Sequence, residues 1–304
     1  MKWKKHGLIY NPSGNLSWAK THAAVPLSNY LEKNLHRIYF TMRDSENRAS
    51  MAYLELDISN PTKINYVTKT PVLSPGKLGT FDDSGTTASS IVEFQNKKYL
   101  YYIGWNKGVS VPYHTSIGLA ISDDGGNTFE KYSTGPIMER NSKEPHFCSN
   151  PFVLIEDNQW KMWYISFIRW EIYEGKPRPY YHIKYAESEN GIDWNKTGKV
   201  CIDFKNENEW AISRPCVIKE NGMYKMWYSY RADGPYRIGY AESSDGLNWN
   251  RLDEKVGIDL SESGWDSEMI EFPYVFNHGK TKYLLYCGNG FGKTGFGYAT
   301  LELE

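Results

Sequence analysis

The sequence predicts an all-β chain that folds as a five-bladed β-propeller of four-stranded antiparallel blades. Three observations predict this fold: a strand-and-turn pattern repeated along the chain, the same order of strands in each repeat, and a match between the amino terminus and the fourth strand of a repeat. One supersecondary unit repeated roughly 60 residues apart is typical of propellers and of other repeat architectures.

Three copies of the repeat are closely similar. Each has a strand with a central alanine, a polar turn containing glycine, and a final aromatic residue, and the copies are Ile117–Phe129, Ile183–Trp194 and Ile238–Trp249. Two shorter copies keep only the strand, so that the aligned alanines are Ala52, Ala120, Ala186, Ala241 and Ala299. Alternating apolar and polar residues on both sides of an Asp-Gly or Asn-Gly turn predict a hairpin.

Two further strands precede each alanine strand. The second strand is rich in aromatic residues, and the first is a short apolar run that contains proline in four repeats, at Pro26, Pro151, Pro215 and Pro273. Proline is tolerated at the opening of a strand, where no ladder hydrogen bond is lost. The interpretation is one domain, 1–304, with blades at approximately 20–73, 86–138, 147–203, 211–259, and 269–304 together with 2–10.

The amino-terminal segment resembles a fourth strand. Trp3–Ile9 aligns with Trp194–Val200, including its Trp, Lys and Gly, whereas the last repeat has no fourth strand of its own. We therefore expect the first strand of the chain to complete the last blade, which would close the ring and cover an exposed sheet edge.

Composition excludes some classes of partner. The formal net charge is −1 and the 35 basic and 36 acidic residues are interspersed, so neither nucleic acid nor an anionic membrane is an expected partner. No apolar segment is long enough for a leader or a membrane span, and four scattered cysteines fit buried free thiols, so a cytoplasmic location is expected. Aromatic residues make up 15% of the chain, which suits both β-structure and stacking on sugar rings.

The ligand is expected on one particular face. The Ser-x-Asp-Gly turns join third to fourth strands and are interpreted as turn formers, so functional residues should come from the opposite face, around the central channel. The candidate substrate-binding residues there are His22, Arg43, Trp105, Glu144, His146, Trp170, Glu209, Arg214 and Arg231. The arginines favour an anionic substituent on the ligand, or else pair only with neighbouring acids.

At this point the sequence resembles the five-bladed propeller superfamily of glycoside hydrolase families 43, 32, 62 and 68. The resemblance rests on the five repeats, the x-Pro first strands and the alanine strands followed by Ser-x-Asp-Gly-x-x-Trp. The segments Arg37–Phe40, Tyr101–Trp105 and Lys161–Tyr164 look like a subgroup of uncharacterised glycosidase-like propellers associated with surface-polysaccharide genes. The resemblance implies an activity on glycosidic bonds through paired carboxylates.

The catalytic acids of those families are not matched position by position. Val25, Asn150 and Arg214 precede the first three of these prolines, where the families carry aspartates, and only Glu271-Phe272-Pro273 resembles their glutamate pattern. An acid pair could still be formed across the channel. The candidates for it are Glu271, Glu268, Asp83 and Asp44.

Two functions therefore stay open. One is a glycoside hydrolase-like enzyme acting on an acidic or nucleotide-linked sugar, and the other is a non-catalytic propeller that binds carbohydrate or a sugar nucleotide. No cofactor is expected, because the sequence has neither a phosphate-binding glycine loop nor a His/Cys cluster that could hold a metal ion. Whether the protein is an enzyme at all, and in which oligomeric state it exists, is not predicted.

Overall fold

The chain is built almost entirely from β-strands. The computed structural model describes residues 1–12 and 16–302, with twenty strands, a three-residue 3₁₀-helix (Asp253–Lys255) and one four-residue α-helix, α1 (Asn289–Gly292). The all-β prediction is confirmed. Residues 303 and 304, which end the predicted domain and its last blade, lie outside the described residues.

The strands form five antiparallel units of four strands each. The first contains β2 (Thr21–Glu32), β3 (Leu35–Arg43), β4 (Ala49–Asp57) and β5 (Ile64–Val67). The second contains β6 (Gly85–Phe94), β7 (Lys97–Lys107), β8 (Tyr113–Ser122) and β9 (Glu130–Lys131). The third contains β10 (Cys148–Glu156), β11 (Gln159–Tyr173), β12 (Lys176–Ser188) and β13 (Asn195–Ile202).

The last two units follow the same order of strands. The fourth contains β14 (Ala211–Glu220), β15 (Met223–Arg231), β16 (Arg237–Ser243) and β17 (Asn250–Arg251). The fifth contains β18 (Glu271–His278), β19 (Thr281–Cys287), β20 (Phe296–Leu301) and, from the other end of the chain, β1 (Trp3–Tyr10). β1 runs antiparallel to β20, with Trp3 opposite Leu301 and Lys5 opposite Ala299.

The first strand of each unit lies beside the first strands of two other units. β2 contacts β6 and β18, β10 contacts β6 and β14, and β14 also contacts β18. The first and second units share one sheet through a parallel bridge, Ala49 to Gly85, and the third and fourth share another through Tyr181 and Ala211. This arrangement is that of a β-propeller, with the first strands innermost.

Each first strand that contains a proline also has a bulge at that proline. The register shifts there, and the residue before the proline has a positive φ, between 44° and 57°, at Val25, Asn150, Arg214 and Phe272. A bulge re-aims the adjacent side chains, and a left-handed backbone at a residue other than glycine is a strained conformation that the surrounding structure must maintain. The bulges therefore set which side chains face the middle of the ring.

The Ser-x-Asp-Gly and Ser-x-Asn-Gly turns make the contacts expected of turn formers. Ser122, Ser188 and Ser243 each accept a hydrogen bond at Oγ from a glycine N–H of the same turn, at 2.8 to 2.9 Å. Asp245 Oδ1 accepts from the amides of the second and third residues after it, at 2.8 Å. The interpretation of these residues as turn formers is confirmed.

All four cysteines are buried and unpaired, as predicted. None of the helices among the described residues is long and apolar enough to cross a bilayer.

Candidate active site

A cavity of about 730 Å³ opens where the five units meet. It is lined by the starts of first strands, the ends of second strands and the starts of third strands. The Ser-x-Asp-Gly turns follow the other ends of the third strands, so the cavity lies on the opposite face from them. The face predicted for ligand binding therefore contains a concave site.

Glu271 is the only acidic side chain that lines this cavity within the described part of the chain. Its side chain is 2% exposed, and its Oε2 is buried without a hydrogen-bond partner among the described residues. Burial raises the pKa of Glu271 well above its usual range, although the charge of Arg231 acts in the opposite direction. A carboxyl that keeps its proton near neutral pH is suited to donate that proton to a substrate.

Four more polar atoms in the lining are buried without a partner in the described structure. They are Thr41 Oγ1, Thr115 Oγ1, Asn150 Oδ1 and Ser213 Oγ, on strands of four different units. Buried polar atoms are normally hydrogen-bonded, so a cluster of unsatisfied ones around a cavity indicates groups that a ligand or water would contact.

Positively charged side chains occupy other parts of the wall. Arg43, Lys107 and Arg231 line the cavity, and none of them forms an ion pair with a described carboxylate. His22 lies beside Arg43, and burial together with the charges of Arg43 and Lys293 lowers its pKa to about 4, so His22 is neutral at pH 7. The described lining therefore contains three cationic side chains and one acidic side chain, Glu271.

Aromatic rings form much of the remaining wall. Trp105, Trp210, Tyr181 and Tyr236 line the cavity, and the hydroxyls of the two tyrosines are hydrogen-bonded to each other. Trp210 is fixed by a hydrogen bond from its Nε1 to the carbonyl of Ala232 at 2.8 Å. Rings held in this way offer apolar faces to a ligand without a large loss of side-chain entropy.

The structure brings five of the sequence-predicted residues to this cavity. They are Glu271, predicted as catalytic, and His22, Arg43, Trp105 and Arg231, predicted as binding residues. The other eight predicted residues are not among those that line it: Asp44, Asp83, Glu268, Glu144, His146, Trp170, Glu209 and Arg214.

Glu144 and Glu209 belong to networks that recur in four units. In each of them a tyrosine of the second strand donates its hydroxyl to a carboxylate, in the pairs Tyr102 with Asp82, Tyr164 with Glu144, Tyr228 with Asp253, and Tyr286 with Asp266. A cation of the fourth strand pairs with the same carboxylate, in the pairs Lys131 with Asp82, Lys196 with Glu144, Arg251 with Asp253, and Lys5 with Asp266.

Glu209 joins the network of the fourth unit through Arg251. Two nitrogens of that guanidinium donate to the two oxygens of Glu209, at 2.7 and 3.0 Å. Glu144 and Glu209 are thus occupied by cations of the chain itself. Glu144 connects strands of the third unit, Glu209 connects β17 to its own loop, and neither lines the cavity.

The other predicted acids lie in loops. Asp83 accepts hydrogen bonds from the amide of Gly79 and the hydroxyl of Ser84, both at 2.9 Å, and Glu268 is exposed. Asp44 accepts from two backbone amides of its own loop and from Arg48 Nε, at 2.9 Å each. None of the three is placed opposite Glu271 across the cavity.

The remaining predicted binding residues are buried or half-buried beside the site. Arg214 is fully buried and donates from Nη1 to the carbonyl and hydroxyl of Ser89, at 2.6 and 2.9 Å. Burial lowers the pKa of Arg214 to about 10. Trp170 is half-buried and packs on Phe167, with ring centroids 6.0 Å apart, and His146 is half-buried in the loop before β10.

Sequence reasoning missed several lining residues. Thr41, Thr115 and Ser213 are small polar residues on buried strands and resemble ordinary core positions in the sequence. One signal could have found Ser213: it stands two residues before a first-strand proline, the position that Glu271 has in the fifth unit. For Lys107, Trp210 and Tyr236 the sequence offered no such reference position.

The described side chains do not form a metal centre. Among the described residues, no group of three or more His, Cys, Asp or Glu side chains is arranged to hold a metal ion.

Comparison with solved structures supports the fold. The chain superposes on BT0996, in a structure described as an RGII complex, with a TM-score of 0.80 at 16% identity over 98% of this chain and 91% of that protein. It also superposes on a thermostable family-43 glycoside hydrolase, with a TM-score of 0.70 at 17% identity over 97% and 94% of the two chains. The predicted resemblance to propeller glycosidases is confirmed at the level of the fold.

A third structural neighbour belongs to glycoside hydrolase family 130. That family is described as one of mannoside phosphorylases that contains hydrolases targeting β-1,2 mannosidic linkages in Candida mannan, and the TM-score is 0.71 at 14% identity over 99% and 94% of the two chains. A 1,2-beta-oligomannan phosphorylase of Thermoanaerobacter sp. (strain X514) is 32% identical over 97 residues, which are 28% of this chain and 32% of that protein.

No protein-family model matches the sequence. Two mycobacterial relatives match it over nearly its whole length. They are uncharacterized protein MT1551 of Mycobacterium tuberculosis (strain CDC 1551 / Oshkosh), 42% identical over 99% of this chain and 100% of the relative, and uncharacterized protein Rv1502 of strain ATCC 25618 / H37Rv, 41% identical with the same coverage. The chain therefore belongs to the family of MT1551 and Rv1502.

Proposed function

We propose that this protein is an enzyme that cleaves a glycosidic bond, with Glu271 as the proton donor to the leaving oxygen. The observation that carries the proposal is the state of Glu271, a buried carboxyl with a raised pKa and an unpartnered oxygen in the wall of a large cavity. The folds of the glycoside hydrolases of families 43 and 130 support the same class of reaction by analogy.

The proposal differs from a paired-carboxylate mechanism in one respect. Glycoside hydrolases usually employ a second carboxylate, which activates water or attacks the sugar. Asp83, Asp44 and Glu268, the predicted partners of Glu271, do not line the cavity. The attacking group is therefore proposed to be water or a co-substrate that other polar groups of the cavity position.

A co-substrate is a specific possibility because one relative is named as a phosphorylase. A phosphorylase cleaves its glycosidic bond with inorganic phosphate, and the positive charge of Arg43, Lys107 and Arg231 suits an anion in the cavity. The proposed substrates are thus an acidic or nucleotide-linked sugar, cleaved by water, or an oligosaccharide, cleaved by phosphate.

The fold that supports this site is proposed to be one closed domain. The cyclic contacts of the five first strands and the pairing of β1 with β20 support five blades closed by the amino-terminal strand, with residues 1–304 as a single domain. The cavity would then lie at one mouth of the central channel.

A turnover assay tests the proposed function. The purified protein is supplied with aryl glycosides, sugar nucleotides and β-1,2-linked mannooligosaccharides, each with and without inorganic phosphate. We expect turnover of at least one of them, reduced by about 10²–10⁴-fold in Glu271→Gln, as for the loss of a general acid. The matched control is Glu268→Gln, because Glu268 is exposed and lies only three residues away.

The same assay separates the two open functions. If the Glu271→Gln variant turns over substrate as fast as the wild type does, Glu271 is not the proton donor. Binding of a glycan without turnover would favour the alternative, a non-catalytic carbohydrate-binding propeller, which the single carboxyl of the described lining also fits.

A further inference from the structure

Arg231, like Arg43, differs from three other arginines at this end of the molecule. Arg48, Arg169 and Arg237 each pair with a carboxylate, Asp44, Glu171 and Asp259 respectively, at 2.6 to 3.1 Å. Arg231 has no ion pair with any carboxylate that the structure describes, and it lines the cavity beside Glu271.

The guanidinium of Arg231 is nevertheless held in a fixed orientation. Its Nε donates to the carbonyl of Gly234 at 2.9 Å, which is its only side-chain hydrogen bond among the described residues. Its Cζ lies 4.5 Å from the ring centroid of Trp210 and 5.3 Å from that of Tyr236. Stacking and the Nε bond fix the plane of the group and leave Nη1 and Nη2 available for a ligand.

No carboxylate that the structure describes forms an ion pair with these two nitrogens. Glu271 is the one acidic side chain of the described lining, and Arg43 and Lys107 add positive charge to the same wall. An oriented guanidinium with two free donors matches the paired oxygens of a carboxylate or a phosphate, which it binds through two parallel hydrogen bonds.

We infer that the ligand of this cavity presents an oxyanion, a phosphate or a carboxylate, to Nη1 and Nη2 of Arg231, next to Glu271. The inference rests on the proposed function for its site and goes beyond it by assigning the charged group of the ligand to one residue. Arg43 and Lys107 contribute attraction over a longer range, and Trp105 supplies an apolar face for a sugar ring.

Binding measurements test the inference without any need for turnover. The probes are inorganic phosphate, glucose 1-phosphate, glucuronate and, as the neutral comparison, glucose, followed by calorimetry and by intrinsic tryptophan fluorescence. We expect at least one of the three anions to bind more tightly than glucose. Its affinity should fall about tenfold or more in Arg231→Gln, the size expected for the loss of hydrogen bonds to a charged group.

Two variants control for charge and for folding. Arg237→Gln removes an arginine of the same hairpin that pairs with Asp259 and does not line the cavity, and it should bind the anion as the wild type does. Arg231→Lys keeps the charge but loses the two-pronged donor, so its affinity should lie between those of the wild type and Arg231→Gln. Binding of free phosphate would identify a co-substrate, and binding of only the sugar-borne anions would identify a substituent of the substrate.

The outcomes also separate this inference from the proposed function. If none of the three anions binds more tightly than glucose, or if Arg231→Gln keeps the wild-type affinity, the inference is wrong, whatever turnover is found. If an anion binds through Arg231 but no glycosidic substrate is turned over, the proposed enzyme activity fails and the oxyanion site stands.

Discussion

At the scale of the residue, the environment of each carboxyl decides what it does. Glu144 is 7% exposed and Glu271 is 2% exposed, so burial alone does not separate them. Glu144 accepts from Tyr164 and pairs with Lys184 and Lys196, which outweigh the effect of burial and lower its pKa. Glu271 has no such partners and lines the cavity, and burial raises its pKa.

The pKa of Glu271 makes stability depend on pH in a definite direction. The groups around it are Arg231, Tyr181, Tyr236 and Cys287, and burial raises its pKa well above the ordinary value of 4.5. The folded chain then binds more protons than the unfolded chain above pH 4.5, so this residue lowers the free energy of unfolding as the pH rises. Below pH 4.5 the carboxyl is protonated in both states and has no such effect.

We therefore expect Glu271→Gln to be stabilised relative to the wild type as the pH rises from about 5 to about 8. Thermal unfolding at several pH values measures the difference, and the exposed Glu268→Gln is the control. A difference between the wild type and Glu271→Gln that stays constant over this range would contradict the raised pKa.

A second residue-scale prediction concerns the network of Glu144. Glu144→Ala would leave Lys184 and Lys196 without their shared carboxylate in a largely buried site, and breaking a buried ion pair in this way costs about 3–5 kcal/mol. Urea unfolding measures the loss, with the exposed Glu189→Ala as the control. A change no larger than that of the control would show that the network does not contribute to stability.

At the scale of the element, the turns do more than reverse the chain. Their glycine carbonyls accept hydrogen bonds from the second strand of the preceding unit: Tyr39 Oη donates to Gly126 O at 2.6 Å, Tyr101 Oη to Gly191 O at 2.7 Å, and Trp163 Nε1 to Gly246 O at 2.8 Å. Each such turn therefore ties its own unit to its neighbour.

Removal of one hydroxyl tests this contact between units. Tyr101→Phe would remove one of two donors to the Gly191 carbonyl, because Trp194 Nε1 also donates to it at 3.2 Å, and we expect a loss of about 0.5–1.5 kcal/mol of stability with little change at the cavity. Tyr99→Phe on the same strand is the control, because Tyr99 donates no hydrogen bond among the described residues. Equal effects of the two changes in urea unfolding would contradict the proposed role of the turn.

The sequence predicted these elements because each leaves a local pattern. Alternation, proline at the first strands and Asp-Gly at the turns are all visible within a few residues, and the structure contains the corresponding strands and turns. The cation that pairs with a carboxylate, in contrast, can lie far from it in the sequence. Lys131 follows Asp82 by 49 positions, and only the fold shows that the two meet at 2.6 Å. Predicted acids such as Glu144 and Glu209 therefore could not be separated from Glu271 before the structure.

At the scale of the whole molecule, the two ends of the chain meet in one unit. Trp3 is 6% exposed, lies edge-on to Trp227 with ring centroids 6.3 Å apart, and donates its amide to the carbonyl of Gly257 at 3.0 Å. β1 thus contributes to the core between the fourth and fifth units, and it also covers the ladder edge of β20. If the ring is closed in this way, its stability depends on a contact between residues nearly 300 positions apart.

Two changes to β1 test that dependence. Trp3→Ala should cost about 3–5 kcal/mol, as for a large aromatic residue removed from a core, whereas Lys4→Ala on the exposed side of the same strand should cost little. Deletion of residues 1–10 should expose the unpaired edge of β20 and cause self-association, because a free strand edge pairs readily with another chain. Urea unfolding and sedimentation velocity measure the two effects. A deletion variant that sediments like the full-length protein and unfolds at the same urea concentration would show that the stability of the fold does not depend on β1.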